Sequence, residues 1–196
     1  TDFFQTGVYD RNRPFFVTSS PSMDILISSN LERLIFHLTG DDVTKTKELM
    51  DQLSSTGSYE ITPEMKAKLA DFYGDFATEE ETKQAIEKVY QVANYVIDPH
   101  TAVAAGVLEK YQAQSDLPAL VVSTASPYKF PRVVVEALTN KITDKDDFEL
   151  VHELNELSNV AIPKAVTELD DAPIRHNRVI AAGDMKACVE DILGVN

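Results

Sequence analysis

The sequence is poor in cysteine and glycine, and neither residue type is clustered. The single cysteine, Cys188, excludes an internal disulfide and suits a reducing compartment, so we expect a cytoplasmic protein. Seven scattered glycines do not supply the run of backbone amides that usually cradles a cofactor phosphate. Walker, dinucleotide-binding and Gly-x-Ser-x-Gly patterns are missing as well. The sequence therefore predicts no phosphate loop and no serine-hydrolase elbow in this chain.

Further absences exclude other classes of protein. The four histidines, His37, His100, His152 and His176, stand at no metal-ligand spacing, so we predict no metal site. No apolar run is long enough to span a membrane, and no signal peptide opens the chain. A net charge of −14 argues against nucleic acid and anionic membrane surfaces as partners. With 43% hydrophobic and 26% charged residues, the sequence is that of an ordinary globular protein.

Two apolar segments are predicted to be strands that each run into a small-polar turn and then into a helix. Ile25–Ile27 would be a short buried strand, and Leu117–Ser123 has the continuous apolar run of a strand buried on both faces. Tyr59–Ile61 could add an edge strand. In α/β folds such junctions lie at the carboxyl ends of strands, where anionic ligands bind.

Helices are predicted for most of the remaining chain, and residues 1–17 are expected to be irregular. Residues 41–95 carry almost only helices, which indicates a helical insertion between two parts of an α/β domain, residues 1–40 and 96–196. The predicted helices cover roughly residues 31–38, 42–53, a turn after Pro63, 79–95, 99–111, 130–138, 148–169 with a break at Pro163, and 184–193.

The first junction contains three candidate binding residues. The free N–H groups of the first helical turn, after Ser29 and Asn30, favour a phosphate together with the helix dipole. Arg33 could add a forked, charge-assisted contact. Alternatively, the side chains of Ser28 to Asn30 simply cap the helix, and Arg33 pairs with Glu32 or another acid.

Two other segments carry polar groups suited to a site. Residues 123–130 place Ser123 and Thr124 after the longer apolar run, and on the residues alone Ser126 is a helix cap and Lys129 an exposed cation. Asp98-Pro99 is a strong helix start. His100 follows it, either lining an active site or lying on the surface of the first helical turn.

Two strings of residues resemble the threonine synthase family of bacteria and fungi. The first is Ser20-Pro21-Ser22-Met23-Asp24-Ile25-Leu26-Ile27-Ser28-Ser29-Asn30, followed by Arg33. The second, Thr124-Ala125-Ser126-Pro127-Tyr128-Lys129-Phe130, is similar to a family motif that has His and Ala where this chain has Ser126 and Tyr128. The resemblance covers essentially the whole chain, as less than half of a complete enzyme. Thr1 at the first position fits a natural start that lies upstream.

The resemblance implies the carboxyl-terminal part of a fold-type-II pyridoxal-phosphate (PLP) enzyme, similar to tryptophan synthase β. The complete enzyme would convert O-phospho-L-homoserine and water to L-threonine and phosphate. Its Schiff-base lysine and glycine-rich phosphate loop would lie outside this chain, so no catalytic residue is assigned here. Alone, the chain would neither bind PLP nor turn over. The resemblance implies cofactor contacts for Thr124 and secondarily Ser123, and substrate contacts for Ser29, Asn30, Arg33 and Lys129.

Two alternatives remain open at this point. A different fold-type-II lyase, such as a threonine or serine dehydratase, would share the cofactor and release ammonia instead of phosphate. The chain could also be a non-catalytic fragment that acts only as an interaction domain, with exposed apolar surface where missing strands would dock.

Overall fold

The computed structural model describes residues 1–195, which are mainly helical. The chain divides into one compact unit over Thr1–Ile162 and a second that begins at Pro163. Within the described residues, no helix is both long and apolar enough to cross a bilayer. The elements are α1 Asp2–Thr6, β1 Val8–Asp10, α2 Leu31–Leu38, α3 Val43–Thr56, β2 Ser58–Glu60, α4 Pro63–Ala67, α5 Glu79–Ala93, α6 Pro99–Gln112, α7 Pro131–Thr139, α8 Asp147–Ser158, α9 Lys164–Asp170 and α10 Met185–Leu193.

The first part of the larger unit is built on a two-stranded antiparallel sheet. β1 pairs with β2 so that Tyr9 lies opposite Tyr59, and their rings stack at 5.4 Å. Phe3 packs edge-on against both tyrosines, which ties α1 to the sheet. The apolar faces of α2, α3 and α4 complete this core, whose buried members are Phe3, Ile35, Leu38, Leu49, Leu53, Tyr59, Ile61, Met65 and Leu69.

The second part of the larger unit is a group of four helices. α5 packs against α6 and α7, and α7 packs against α8. Apolar residues three and four apart form the buried faces of these helices, as in Leu150, Val151 and Leu154 of α8. The Tyr90 hydroxyl donates to the carbonyl oxygen of Leu157 at 2.7 Å, which adds a polar contact between α5 and the end of α8.

The helix boundaries follow the capping residues. Thr78 and Glu81 form a reciprocal capping box at the start of α5, as do Asp146 and Glu149 at α8. The helices predicted at 31–38, 79–95, 99–111, 130–138 and 184–193 are confirmed within a few residues. The break predicted at Pro163 is also confirmed, because α9 begins at the next residue.

The two main strand predictions are wrong for this chain. Ile25–Ile27 and Leu117–Ser123 form no strand, and Leu120 in the second segment is 89% exposed. A strand needs hydrogen-bonded neighbours, and no described residue pairs with either segment. The irregular conformation expected for residues 1–17 is wrong in part, because α1 and β1 lie there. The edge strand near Tyr59 is confirmed as β2.

The smaller unit carries α9 and α10. None of its described residues is buried, so it has no core of its own. An ion pair between Arg178 and Asp191, 2.7 Å long, joins the segment before α10 to that helix. The domain boundaries predicted at residues 40 and 95 stay predictions.

Candidate functional site

Three segments singled out in the sequence meet at the start of α6. They are the Ser22 region of the first string, the Asp98–Thr101 turn, and Ser123, which directly precedes the second string. The other two segments are each joined to the turn by a hydrogen bond. Ser22 contributes its backbone N–H, and Ser123 contributes its side-chain hydroxyl. These contacts span up to 78 residues of sequence, so they are set by the fold and not by local chain geometry.

Asp98 is the fully buried centre of this cluster. One carboxylate oxygen, Oδ1, accepts from the backbone N–H groups of His100 at 2.9 Å and Thr101 at 3.4 Å, which caps α6. The other, Oδ2, accepts from the Thr101 hydroxyl. The cap predicted at Asp98-Pro99 is therefore confirmed, and the same carboxylate also binds side chains.

His100 is not a surface histidine, because its side chain is only 10% exposed. Its Nδ1 lies 3.2 Å from Asp98 Oδ1, and its Nε2 lies 3.2 Å from the backbone nitrogen of Ser22. Since the Ser22 N–H can only donate, Nε2 accepts, and in the neutral ring Nδ1 carries the proton toward Asp98. The ring also packs against Phe130, with centroids 4.8 Å apart. His100 thus ties the first string to both other segments.

The two predicted cofactor residues differ in their surroundings. The Ser123 hydroxyl lies 3.0 Å from the Thr101 hydroxyl, whereas the Thr124 side chain is exposed and makes no hydrogen bond with a described residue. Both residues have an open side that a ligand can approach. Sequence reasoning missed the contact with Thr101, since only the turn's Asp and Pro carried a recognised signal.

The segment that contains the first string is folded on its own polar groups. Asp24 accepts from both the backbone nitrogen and the hydroxyl of Thr18, each at 2.6 Å. The Tyr9 hydroxyl donates to the carbonyl oxygen of Leu26 at 2.9 Å and accepts from the backbone nitrogen of Ser28 at 2.7 Å. Because Tyr9 takes up these groups, the segment is held in place without strand pairing.

The predicted side-chain cap at the start of α2 is wrong. Asn30 occupies the N-cap position, but its backbone is helical and its side chain makes no capping hydrogen bond. An N-cap side chain reaches the next turn from an extended backbone, which explains its failure here. Arg33 likewise forms no ion pair with a described residue, so the predicted alternative partner, Glu32, is not used.

Ser29 and Arg33 line a groove of about 800 Å³ between α2 and α3. Lys47 adds a second cation, although it is 2.5 Å from Asp51. The lining does not include Ser123, Thr124 or Lys129. The structure therefore brings two of the predicted substrate residues together in one groove and leaves the cofactor candidates at the α6 cluster.

Lys129 is exposed, and its ammonium lies 6.0 Å from the centre of the Phe130 ring. Ser126 caps the turn before it by accepting from the backbone nitrogen of Tyr128 at 3.3 Å, as predicted. Tyr128 is buried, and its hydroxyl donates to the carbonyl oxygen of Val160. The tyrosine that departs from the family motif thus fastens this turn to the chain after α8.

Among the ionisable groups outside the α6 cluster, Glu81 and Tyr59 have the most strongly shifted pKa values. The Lys110 ammonium lies 2.8 Å from the Glu81 carboxylate. This contact, together with a hydrogen bond from the backbone of Thr78, lowers the pKa of Glu81 to about 2. Burial, and secondarily the neighbouring Tyr9, raise the pKa of Tyr59. Both groups belong to the scaffold, at the start of α5 and in the sheet core.

The comparisons with known proteins agree on one family. Residues 101–180 match the family described as "Threonine synthase, C-terminal". Threonine synthase-like 1 of Macaca fascicularis is 41% identical over 143 residues, which cover 72% of this chain and 19% of that protein. Threonine synthase of Saccharomyces cerevisiae is 32% identical over 198 residues, which cover 90% of this chain and 38% of that protein.

Solved structures agree with these relatives. The crystal structure of threonine synthase from yeast matches 98% of this chain and 40% of its own, with a TM-score of 0.78 and 26% identity. That of PLP-bound threonine synthase from Brucella melitensis matches 81% of this chain and 38% of its own, with a TM-score of 0.60 and 28% identity. The resemblance drawn from the sequence is confirmed, as is the fold class of a carboxyl-terminal part with few strands. The chain spans well under half the length of these relatives.

Proposed function

We propose that this chain is the carboxyl-terminal portion of a threonine synthase. The complete enzyme converts O-phospho-L-homoserine and water to L-threonine and phosphate with PLP. The observation that carries the proposal is that the Asp98–Thr101 turn binds Ser22 of the first string and Ser123, which directly precedes the second, in a chain that superposes on yeast threonine synthase along 98% of its length. An unrelated helical protein would have no reason to bring these strings into contact.

The residues present fit one edge of PLP but not its covalent anchor. PLP, when bound, withdraws electrons from the substrate carbon through its pyridine ring. The exposed hydroxyls of Ser123 and Thr124 suit a contact with the ring nitrogen, since a hydroxyl both donates and accepts. None of the twelve lysines is buried, so none has the desolvated setting that activates a Schiff-base lysine. The anchoring lysine and phosphate loop belong to an amino-terminal portion, which is this chain's partner.

The groove between α2 and α3 is the part of this chain that receives the substrate phosphate. The side chains of Ser29, Asn30 and Arg33 have no hydrogen-bond or ion-pair partner among the described residues, so they are free to bind an anion. Arg33 and Lys47 line the groove together with Glu32, so cations outnumber carboxylates there despite the overall charge of −14. Lys129 is a further cation for the substrate, on the side of the α6 cluster.

Turnover by the complete protein tests this proposal. The full coding frame, expressed with PLP and given O-phospho-L-homoserine, is expected to release phosphate and L-threonine in equal amounts, whereas residues 1–196 alone are expected to release neither. Release of ammonia from threonine or serine would establish a dehydratase instead. A complete protein with no turnover of any of these substrates would leave the interaction-domain alternative.

A second test addresses the groove. Arg33→Gln in the complete enzyme is expected to raise KM for O-phospho-L-homoserine by about tenfold or more, because a charge-assisted contact is lost. Arg175→Gln, an exposed arginine of the smaller unit, is the matched control. An unchanged KM would remove the groove from the substrate site without affecting the family assignment.

A further inference from the structure

A single hydroxyl group holds the segment that leads into α2. Every described hydrogen bond that joins residues 25–30 to a part of the chain outside α2 ends on one atom, Tyr9 Oη. This oxygen lies 2.9 Å from the carbonyl oxygen of Leu26 and 2.7 Å from the backbone nitrogen of Ser28. The polar contacts of the segment with the rest of the fold therefore depend on Tyr9.

The two hydrogen bonds of Tyr9 have fixed directions. The Leu26 carbonyl oxygen can only accept and the Ser28 N–H can only donate, so the phenol donates to the first and accepts from the second. These two groups flank Ile27, and they are the pair that one residue of a parallel neighbouring strand would bind. The tyrosine hydroxyl takes the place of such a residue in a segment that has no strand neighbour.

Apolar burial contributes little to holding this segment. Ile25 and Ile27 are 47% and 45% exposed. The Tyr9 ring is fixed, in contrast, by two aromatic neighbours. It stacks on Tyr59 at 5.4 Å with the planes 8° apart, and it meets Phe3 edge-on at 6.1 Å. A residue held by the core of the sheet thus presents its hydroxyl to a segment that is otherwise weakly anchored.

The anchored residues lead directly into the groove that is proposed to receive the substrate phosphate. The Ser28 carbonyl oxygen accepts from the backbone nitrogen of Leu31 at 3.2 Å, at the start of α2. The N–H groups of Ser29 and Asn30 have no acceptor among the described residues, and Ser29 and Arg33 line the groove. A displacement of Ser28 would therefore move the groups that are proposed to bind the phosphate.

We propose that Tyr9 is a positioning residue, whose hydroxyl fixes residues 28–33 where they bind the phosphate of the substrate. This inference rests on the proposed function. Tyr9 does not line the groove between α2 and α3, so it acts through Ser28 and not by contact with the substrate. Its ring belongs to the core and its hydroxyl to the segment before α2, and Tyr9→Phe separates the two roles because it keeps the ring.

Steady-state kinetics of the complete enzyme test the proposal. Tyr9→Phe is expected to raise KM for O-phospho-L-homoserine and the inhibition constant of inorganic phosphate by about tenfold, with unchanged PLP absorbance. In an Arg33→Gln background, which already lacks the phosphate contact, Tyr9→Phe should raise KM little further, whereas a merely structural role would give independent effects. Tyr59→Phe is the matched control, because it alters the other ring of the stacked pair and removes no described hydrogen bond.

The isolated chain gives a second test that needs no turnover. By nuclear magnetic resonance, the Ser28 amide is expected to exchange about tenfold faster in Tyr9→Phe than in the wild type, and the amides of Ser29 and Asn30 are expected to have lower order parameters. Tyr59→Phe should change neither quantity. Both measurements probe the segment itself, so they respond to the lost hydroxyl even without substrate.

Two results would overturn the proposal. One is exchange and order in Tyr9→Phe that equal those of the wild type, and the other is a KM that does not respond to Tyr9→Phe or responds equally to Tyr59→Phe. A complete protein that releases no phosphate, with the segment still more mobile in Tyr9→Phe, would instead refute the proposed function and keep Tyr9 as the residue that positions this segment.

Discussion

At the scale of single residues, the ion pair between Glu81 and Lys110 makes stability depend on acid pH. Lys110 is the largest cause that lowers the pKa of Glu81 from 4.5 to about 2 in the folded chain. A depressed carboxyl pKa stabilises the fold above the unfolded value, and this contribution is lost as the pH falls from 4.5 toward 2. We expect Glu81→Gln to lower the free energy of unfolding near pH 7 and to have a smaller effect near pH 3, as measured by urea titration.

Lys110→Met provides the control for this pH dependence. In that background the largest cause of the shift is gone, so adding Glu81→Gln should change the pH dependence little. What remains is the capping box with Thr78, which acts at both pH values as long as Glu81 is charged. An equal effect of Glu81→Gln at pH 7 and pH 3 in the wild-type background would contradict the assignment.

Gly57 is a residue whose replacement should cost stability for two separate reasons. It ends α3 at a φ of +83°, and a Cβ there would lie 2.4 Å from the Asn12 side chain. Asn12 is itself fixed by donating to the carbonyl oxygen of Thr56 at 3.1 Å. We expect Gly57→Ala to lower the free energy of unfolding by about 1–2 kcal/mol, since a left-handed conformation penalises any side chain.

Gly183→Ala is the matched control for that substitution. No heavy atom lies within 4 Å of a Cβ at Gly183, and its φ is not positive. Thermal unfolding of both variants checks the difference. Equal melting temperatures for the two variants would mean that the Asn12 side chain and the turn move to accommodate a Cβ at position 57 without loss of stability.

At the scale of elements, residues 117–122 have the apolar composition of a buried strand but pair with no strand among the described residues. Leu117, Leu120 and Val122 are 68%, 89% and 69% exposed, and no described backbone carbonyl accepts from the N–H groups of residues 119–122. Hydrogen exchange should therefore be fast at these amides in the isolated chain. In the complete enzyme the same amides should be protected, because a parallel sheet would supply their partners. Strong protection in the isolated chain would contradict this view.

The helices could be predicted from the sequence because their signals are local. Three helix starts are each marked by residues that lie within four positions of one another. They are Thr78 with Glu81, Asp98 with Pro99, and Asp146 with Glu149. The edge strand near Tyr59 was predicted, but the two main strand predictions failed. A strand depends on partners far away in sequence, and the apolar run of residues 117–123 looks the same with or without them.

The candidate site was also predictable only where its signals are local in the sequence. The sequence identified Ser123, His100 and the Asp98 cap as separate features, each from its own short string. Thr101 meets Ser123 across 22 residues and His100 meets Ser22 across 78 residues, so only the fold could reveal that these features surround one carboxylate. Asn30 failed as a cap for a related reason, because its helical backbone is set by the turn before it and not by its own identity.

At the scale of the whole molecule, burial is confined to the larger unit. Every buried residue in the described part of the chain lies at or before Ser158, and the residues after Pro163 expose large apolar side chains such as Ile174 at 82% and Val179 at 94%. Burial of apolar area supplies most of the stability of a folded domain. The larger unit should therefore carry the cooperative unfolding transition of the chain.

A truncated chain that ends at Ile162 tests this division. We expect its melting temperature to equal that of the full chain within a few degrees, because none of the described residues that it lacks is buried. Leu154→Ala, at a fully buried position of α8, should instead cost about 2–5 kcal/mol, which shows that the measurement responds to loss of core.

A hydrophobic dye should fluoresce less with the truncated chain, since the exposed apolar residues of the smaller unit are gone. It should still bind, because residues 117–122 remain exposed. A large drop in melting temperature on truncation would mean that residues after 162 stabilise the larger unit.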